Sequence, residues 1–378
     1  MRRLLLLVAS IVFVDTMFFA ALTPLLPHYA ADLGLDKAGV GVLQAAYPLG
    51  AFAGAIPSGV VAARAGPKPT VLVGLVFVAA TTVAFGFAEE PWQLVAARFS
   101  QGLASAFSWT GALAWLVAAA PAGRRGALIG SAFAAAVGGA LFGPVLGGAA
   151  SVVGPRAAFA VVGIASLALA AWAAATEAPR RRAAPQPLST LVRAFGDRRV
   201  VLAFWFVVLP ALLFGALGVL APLRLAELGF GALAIGATFL VSAALEAANN
   251  FLLGRVSDRV GPLAPIRAGL VASALVAALL PWPGNRFVLA LLVVCAGLAF
   301  GTFFTPGMTL LTHAAEERGL DYGYAFALVN LAWAPGQSAG AAFGGSVAEA
   351  TRDAVPYLAL SGVCVLTLAA LWRFASSS

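Results

Sequence analysis

Charge is what this sequence has least of. Asp, Glu, Lys and Arg together supply 10% of its 378 residues, while 62% are hydrophobic. A soluble domain carries roughly 25% charged residues, so a soluble chain of this size is excluded. Cysteine and histidine are nearly absent too, at two each. Cys295 and Cys364 fall inside apolar runs with no neighbouring His, which argues against a disulfide framework and against a metal site. His28 and His313 fall at the ends of apolar runs and read as interfacial. Nothing is spaced like a nucleophile–base pair or a phosphate loop, so neither an enzyme nor a bound cofactor is expected. The net charge of +8 is scattered through short loops rather than striped along a polar face, which excludes a nucleic-acid partner.

What is present is a succession of long apolar runs, far too many for one buried core. They predict an all-α polytopic membrane protein with twelve spans, at 4–26, 39–62, 69–88, 91–119, 126–150, 156–176, 200–222, 231–254, 264–281, 287–312, 321–350 and 354–373. The first run follows Arg2 and Arg3 as a signal peptide would. It is too long for one, carries Asp15 and lacks a small-residue cleavage site, so it reads as helix 1. With the amino end inside, seventeen Lys and Arg lie on the cytoplasmic side. Five lie outside (Lys37, Arg156, Arg224, Arg286 and Arg352), and Arg98 lies in the membrane. That bias puts both termini in the cytoplasm. A Pro- and Arg-rich gap at 177–199 reads as a linker between six-helix bundles at 1–176 and 200–378.

The two bundles repeat one another. Gly59, Arg64, Gly66 and Pro67 return as Gly254, Arg259, Gly261 and Pro262, each 195 positions later. Gly102-Leu103-Ala104 returns as Gly297-Leu298-Ala299, and Gly139, Gly143, Gly147 and Gly148 return as Gly336, Gly340, Gly344 and Gly345. A parallel repeat of this kind places its cargo site near the midplane between the halves.

Four motifs in order resemble the major facilitator superfamily over essentially the whole chain. They are Gly254-x-x-x-Asp258-Arg259-x-Gly261 after helix 8, Arg98-x-x-Gln101-Gly102 in helix 4, Gly139-x-x-x-Gly143-Pro144-x-x-Gly147-Gly148 in helix 5, and Asp15 with Thr23-Pro24-Leu25-Leu26-Pro27 in helix 1. The helix 5 motif resembles the signature of proton-coupled antiporters, and the helix 1 pattern resembles drug:proton antiporters and vesicular amine transporters. The first copy of the loop signature departs from the family, with Ala63 where an acid is usual. The resemblance implies two pseudo-symmetric six-helix bundles, with Gly59, Arg64, Gly66, Gly254, Asp258, Arg259 and Gly261 in gating. It implies the helix 5 glycines and Pro144 in the conformational change. Asp258 would meet the amino end of a helix in the other half, and the mirror contact would be weak.

Asp15 sits about 16 Å along helix 1 from Leu4. A charged carboxylate at that depth is costly, which suits it to exchanging a proton or meeting a cationic cargo. Otherwise it is a structural acid paired with Arg98 or capped by Thr16. Glu246 shares a helical face with Asn249 and Asn250, and either serves proton and cargo or reaches out to Arg255. Arg98, with Gln101 and Ser105 at i+3 and i+7, either holds Asp15 ionised or snorkels to the outer interface. Trp109, Trp115, Trp205 and Trp333 are candidate cavity walls for an apolar cation, with Asn330 beside Trp333.

These features point to a proton-coupled exporter of small amphipathic or cationic molecules, working as a monomer by alternating access in a bacterial inner membrane. Its partners would be protons, the cargo and the lipid bilayer. A carrier for sugars, amino acids or other metabolites keeps the same fold. A receptor without flux is the remote reading, since the loops are too short for an output surface.

Overall fold

The computed structural model describes residues 1–121, 125–178, 187–261, 263–320 and 322–375. The side chains at 125–127, 188, 191, 251, 254–258, 260, 316, 322–327 and 373–375 are outside that description. Every described element is helical. Helix α1 (Arg2–Ala21) runs into a 3-10 turn at Thr23–Leu25 and then α2 (Leu26–Leu33). Pro24 removes a backbone donor, and the helix tightens there instead of ending. The first span therefore reaches Leu33, beyond the limit of 26 that apolarity suggests.

Eleven more helices account for the other expected spans. They are α3 (Lys37–Ala65), α4 (Pro67–Gly86), α5 (Pro91–Ala119), α6 (Arg125–Val153), α7 (Pro155–Ala175), α9 (Arg198–Glu227), α10 (Ala232–Val260), α11 (Leu263–Leu279), α12 (Arg286–Glu317), α13 (Tyr322–Ala350) and α14 (Ala354–Ala375). A short α8 (Leu188–Ala194) lies within the stretch expected to be linker. Ten segments among the described residues are long and apolar enough to cross a membrane. Helix α11, at 17 residues, and α13, at 29, complete the twelve. The outward-facing side chains are themselves apolar, among them Ile164 at 66% exposure and Leu366 at 71%, as lipid requires.

The repeated Gly-Pro pair is helix punctuation. Gly66 and Gly154 take φ of 98° and 90°, each followed by a Pro that opens the next helix. Gly261 takes φ of 80° at the equivalent place in the second half. Glycine ends a helix in the left-handed region, and proline starts one without wasting a donor.

Two compact units result, made of Met1–Leu25 with Ala46–Pro187 and of Leu26–Ala45 with Leu188–Ser378. The start of α3 thus groups with the second unit, which differs from a division at the linker alone. Within that unit a Cβ on Gly41 would lie 2.7 Å from the Ala341 carbonyl, so α3 and α13 touch backbone to backbone. Ser338 Oγ also donates to Ala45 O at 3.1 Å. The first unit's core joins Leu7 and Ile11 of α1, Leu75 of α4, Trp115 of α5 and Ala132 of α6. The second unit's core joins Val200 and Val207 of α9, Leu311 of α12 and Leu328 of α13.

Glycine stripes set the closest crossings. On α6, Gly139, Gly143 and Gly147 lie against Phe13, Met17 and Ala21 of α1. On α13, Gly336, Gly340 and Gly344 lie against Val208, Leu212 and Ala216 of α9, partners that again stand 195 positions on. The stripe of the helix 5 motif is therefore packed inside its own unit, where a missing Cβ lets backbones approach.

Candidate functional site

The first unit holds a buried polar network built on α1, α3 and α5. Asp15, about two-thirds of the way along α1, is 7% exposed. Its Oδ2 accepts three hydrogen bonds: from Tyr47 Oη at 2.9 Å, Ser105 Oγ at 2.7 Å and Trp109 Nε1 at 2.7 Å. Ser105 and Trp109 are four residues apart on α5, so one helical face delivers both donors. All three donors are neutral, and none goes to Oδ1. Thr16 does not cap the acid; its hydroxyl returns to Val12 O at 2.8 Å.

Arg98 is fully buried rather than snorkelling to an interface. It donates to Phe19 O at 2.7 Å and to Gln101 Oε1 at 3.4 Å. Its guanidinium lies 4.8, 5.3 and 5.6 Å from the ring centroids of Tyr47, Phe18 and Phe19, an aromatic cage that a desolvated cation favours. It makes no direct ion pair with Asp15 and acts on it at a distance. Gln101 continues the network to Thr81 O at 3.2 Å and is buried with it. Gln101, Ser105 and Trp109 thus meet Asp15 and Arg98 as hydrogen-bond partners.

Tyr47 is invisible to motif reading, although it touches both charges. An isolated tyrosine in an apolar span carries no periodic signal. Its backbone is nonetheless marked: Gly102, the glycine of the arginine motif, packs against the Tyr47 carbonyl with no room for a side chain.

The second unit holds Glu246 on α10, hydrogen-bonded by the Asn250 side chain. Asn249 turns to Thr302 Oγ1 of α12 at 3.0 Å. A Cβ on Gly301 would lie 2.9 Å from Glu246 Oε1, so the glycine makes the slot in which the carboxyl rests. Among the described residues no Lys or Arg pairs with Glu246. Arg255, its suggested partner, lies outside the described side chains, as do Gly254 and Asp258.

The remaining candidates separate by burial. Asn330 is exposed, and Trp333 is half-buried against the second unit's core. Trp115 is fully buried in the first unit's core. Trp205 lines an apolar groove of about 290 Å³ between α9 and α14 and donates to Thr367 Oγ1 at 3.1 Å. Arg64 and Arg259 are exposed, and Gly59 has open space where a side chain would be. Pro144 lies inside α6, and Gly148 is buried on the same helix.

The family model for the Major Facilitator Superfamily matches residues 8–337. The chain is similar to the chloramphenicol resistance protein of Streptomyces lividans, 30% identical over 340 residues, covering 83% of this chain and 82% of that one. It is also similar to the probable vesicular acetylcholine transporter-B of Danio rerio, 33% identical over 178 residues, covering 44% and 36%. A solved bacterial homolog of the human lysosomal transporter Spinster, inward-facing and occupied, aligns with a TM-score of 0.78 at 17% identity, covering 99% and 96%. That likeness is one of fold.

Proposed function

The chain belongs to the major facilitator superfamily, and from that premise we propose that this integral membrane transporter is a proton-coupled exporter of small amphipathic or cationic molecules. The observation that carries the reading is Asp15, a buried carboxylate on the first span held by three neutral donors and no direct ion pair. Such a cradle supports the charged form without locking it. A proton can then arrive from one side and leave to the other as access alternates.

Glu246 supports recognition of a cationic cargo, because its carboxyl meets only an amide among the described residues. Export is supported by the names of two relatives, one a chloramphenicol resistance protein and one a probable vesicular acetylcholine transporter. One proton falling through 100 mV releases roughly 2.3 kcal/mol, which sustains an approximately fortyfold cargo gradient. A single titrating acid is therefore sufficient. The positive-inside count supports both termini on the cytoplasmic side of the membrane, which this reading takes to be a bacterial inner membrane.

The test is uptake of radiolabelled chloramphenicol and of a lipophilic cation into proteoliposomes under an imposed pH gradient. The wild-type protein accumulates probe against its gradient, and Asp15→Asn binds probe without accumulating it. Asp15→Asn accumulation equal to wild type removes Asp15 from the mechanism. Absence of proton flux with either probe favours a carrier of polar metabolites.

A further inference from the structure

One residue joins the two buried charges of the first unit, and the transport cycle outlined above gives it no task. The Tyr47 ring lies 4.8 Å from the Arg98 guanidinium carbon, and its hydroxyl donates to Asp15 Oδ2 at 2.9 Å. Tyr47 is 4% exposed and packs at 4.9 Å against Phe19, whose carbonyl accepts from Arg98. Its position is fixed by the α3–α5 crossing: Gly102 abuts the Tyr47 carbonyl, and Gly50, nearly a turn further along α3, abuts the Phe99 carbonyl. Arg98 is one turn before Gly102, so the crossing that seats the Tyr47 backbone also brings its ring to the guanidinium.

We infer that Tyr47 is the positioning residue that keeps Asp15 exchangeable: its ring holds Arg98 away from the carboxylate, and its hydroxyl helps to anchor Oδ2 and leaves Oδ1 as the oxygen that takes and gives the proton. This rests on the reading of Asp15 as the proton site. Without the ring, the guanidinium would meet the carboxylate in a buried pair with two or more charge-assisted hydrogen bonds, the arrangement that most strongly holds an acid ionised. With it, the arginine's charge is felt through an aromatic face while one donor goes to Phe19 O and another to Gln101 Oε1. An oxygen already accepting three donors has no lone pair free for a proton, so uptake falls to Oδ1. Among the described residues, the charged and titratable groups facing Asp15 are Tyr47 from α3 and Arg98 from α5. On α7, Arg156 is engaged with Glu89 at 2.6 Å.

The internal repeat shows that the fold itself does not need this residue. At 195 positions on, Tyr47, Arg98 and Asp15 correspond to Ser242, Val293 and Pro210. The same crossing is made there, with Gly297 against Ser242, but those three positions carry no ring, cation or acid. The aromatic spacer exists only where the two charges do.

Infrared difference spectra of the detergent-purified full chain, titrated in pH, test this without a cargo. The band of a protonated carboxyl that Asp15→Asn removes belongs to Asp15. Tyr47→Phe keeps the ring and loses one donor to the carboxylate, so the midpoint of that band moves by about one pH unit to the alkaline side. Tyr47→Leu loses the ring as well, and the Asp15 band drops out of the titration. A wild-type midpoint in Tyr47→Phe overturns the inference, as does a Tyr47→Leu protein whose Asp15 titrates as in wild type. Tyr47→Phe preserves the packing and carries the test alone if Tyr47→Leu does not fold. If no wild-type band disappears in Asp15→Asn, the proton-site reading fails instead.

Discussion

Lys37 Nζ lies 2.6 Å from Asp353 Oδ1, although 316 residues separate them. Their side chains are 28% and 20% exposed, so water reaches the pair only in part. The Lys37 backbone N–H donates to Glu349 Oε2 at 3.1 Å, and Glu227 Oε1 stands 4.0 Å from the ammonium. Lysine at the first turn of α3 is unfavourable by itself, since the helix dipole is positive there. Acids from α9, α13 and the turn after it offset that cost and fasten the start of α3 within the second unit.

Either Lys37→Met or Asp353→Asn should therefore loosen the segment 26–45. A partly exposed pair contributes about 1 kcal/mol at most after solvent screening, and the melting temperature in detergent should fall by a few degrees. The exchanged pair, Lys37→Asp with Asp353→Lys, should recover part of the loss. A double-mutant cycle with no coupling would show that the pair holds nothing.

The glycines of the repeated loop stretch are not equivalent, and substitution should separate them. Gly59 faces open space, with no atom within 4 Å of where a methyl would stand, so Gly59→Ala should leave the melting temperature unchanged. Gly66 has φ of 98°, where an L side chain costs roughly 1–3 kcal/mol. Gly66→Ala should melt lower for that reason alone. Any transport defect in Gly59→Ala then reports on conformational change and not on folding.

The twelve spans and the duplication are legible because each is a pattern along the chain. Apolar runs give spans, and an offset gives the repeat. The first span runs longer than its sequence suggests because Pro24 and Pro27 look like a stop, whereas the backbone absorbs Pro24 as a 3-10 turn. Asp15, Arg98 and Glu246 stand out as rare ionisable groups in apolar surroundings. Tyr47 and the Lys37–Asp353 pair do not, because each depends on which helices cross and at what height. Gly102 holds the missing clue: its neighbour is the Tyr47 carbonyl, but a glycine in a sequence does not say which backbone it admits.

The stripe on α6 is tighter than a methyl allows. A Cβ on Gly143 would press on Ala20 and lie 2.7 Å from Met17 O, and on Gly340 it would overlap Leu212 O. Overpacking of this kind costs typically about 1–3 kcal/mol. Gly143→Ala and Gly340→Ala should each lower the melting temperature. Gly130→Ala and Gly362→Ala, where no atom lies within 4 Å, should be neutral or slightly stabilising. Equal effects at all four positions would mean that the α1–α6 and α9–α13 contacts are looser than these distances imply.

Gly301 offers a way to move Glu246 without touching it. A methyl there meets Glu246 Cγ at 2.6 Å, Oε1 at 2.9 Å and Cδ at 3.0 Å, and no backbone atom is among the three nearest. A flexible side chain can swing aside where a backbone cannot, so the α10–α12 crossing should survive and the carboxyl should leave its slot. Gly301→Ala is thus expected to melt near wild type and to lose affinity for a lipophilic cation as Glu246→Gln does. A hydrogen bond to a charged group contributes about 1.5–3 kcal/mol, which is roughly a ten- to hundredfold loss in affinity. Titration of the cation against both purified variants measures it. Were Glu246→Gln to bind the cation as wild type does, Glu246 would be a packing residue with no part in cargo recognition.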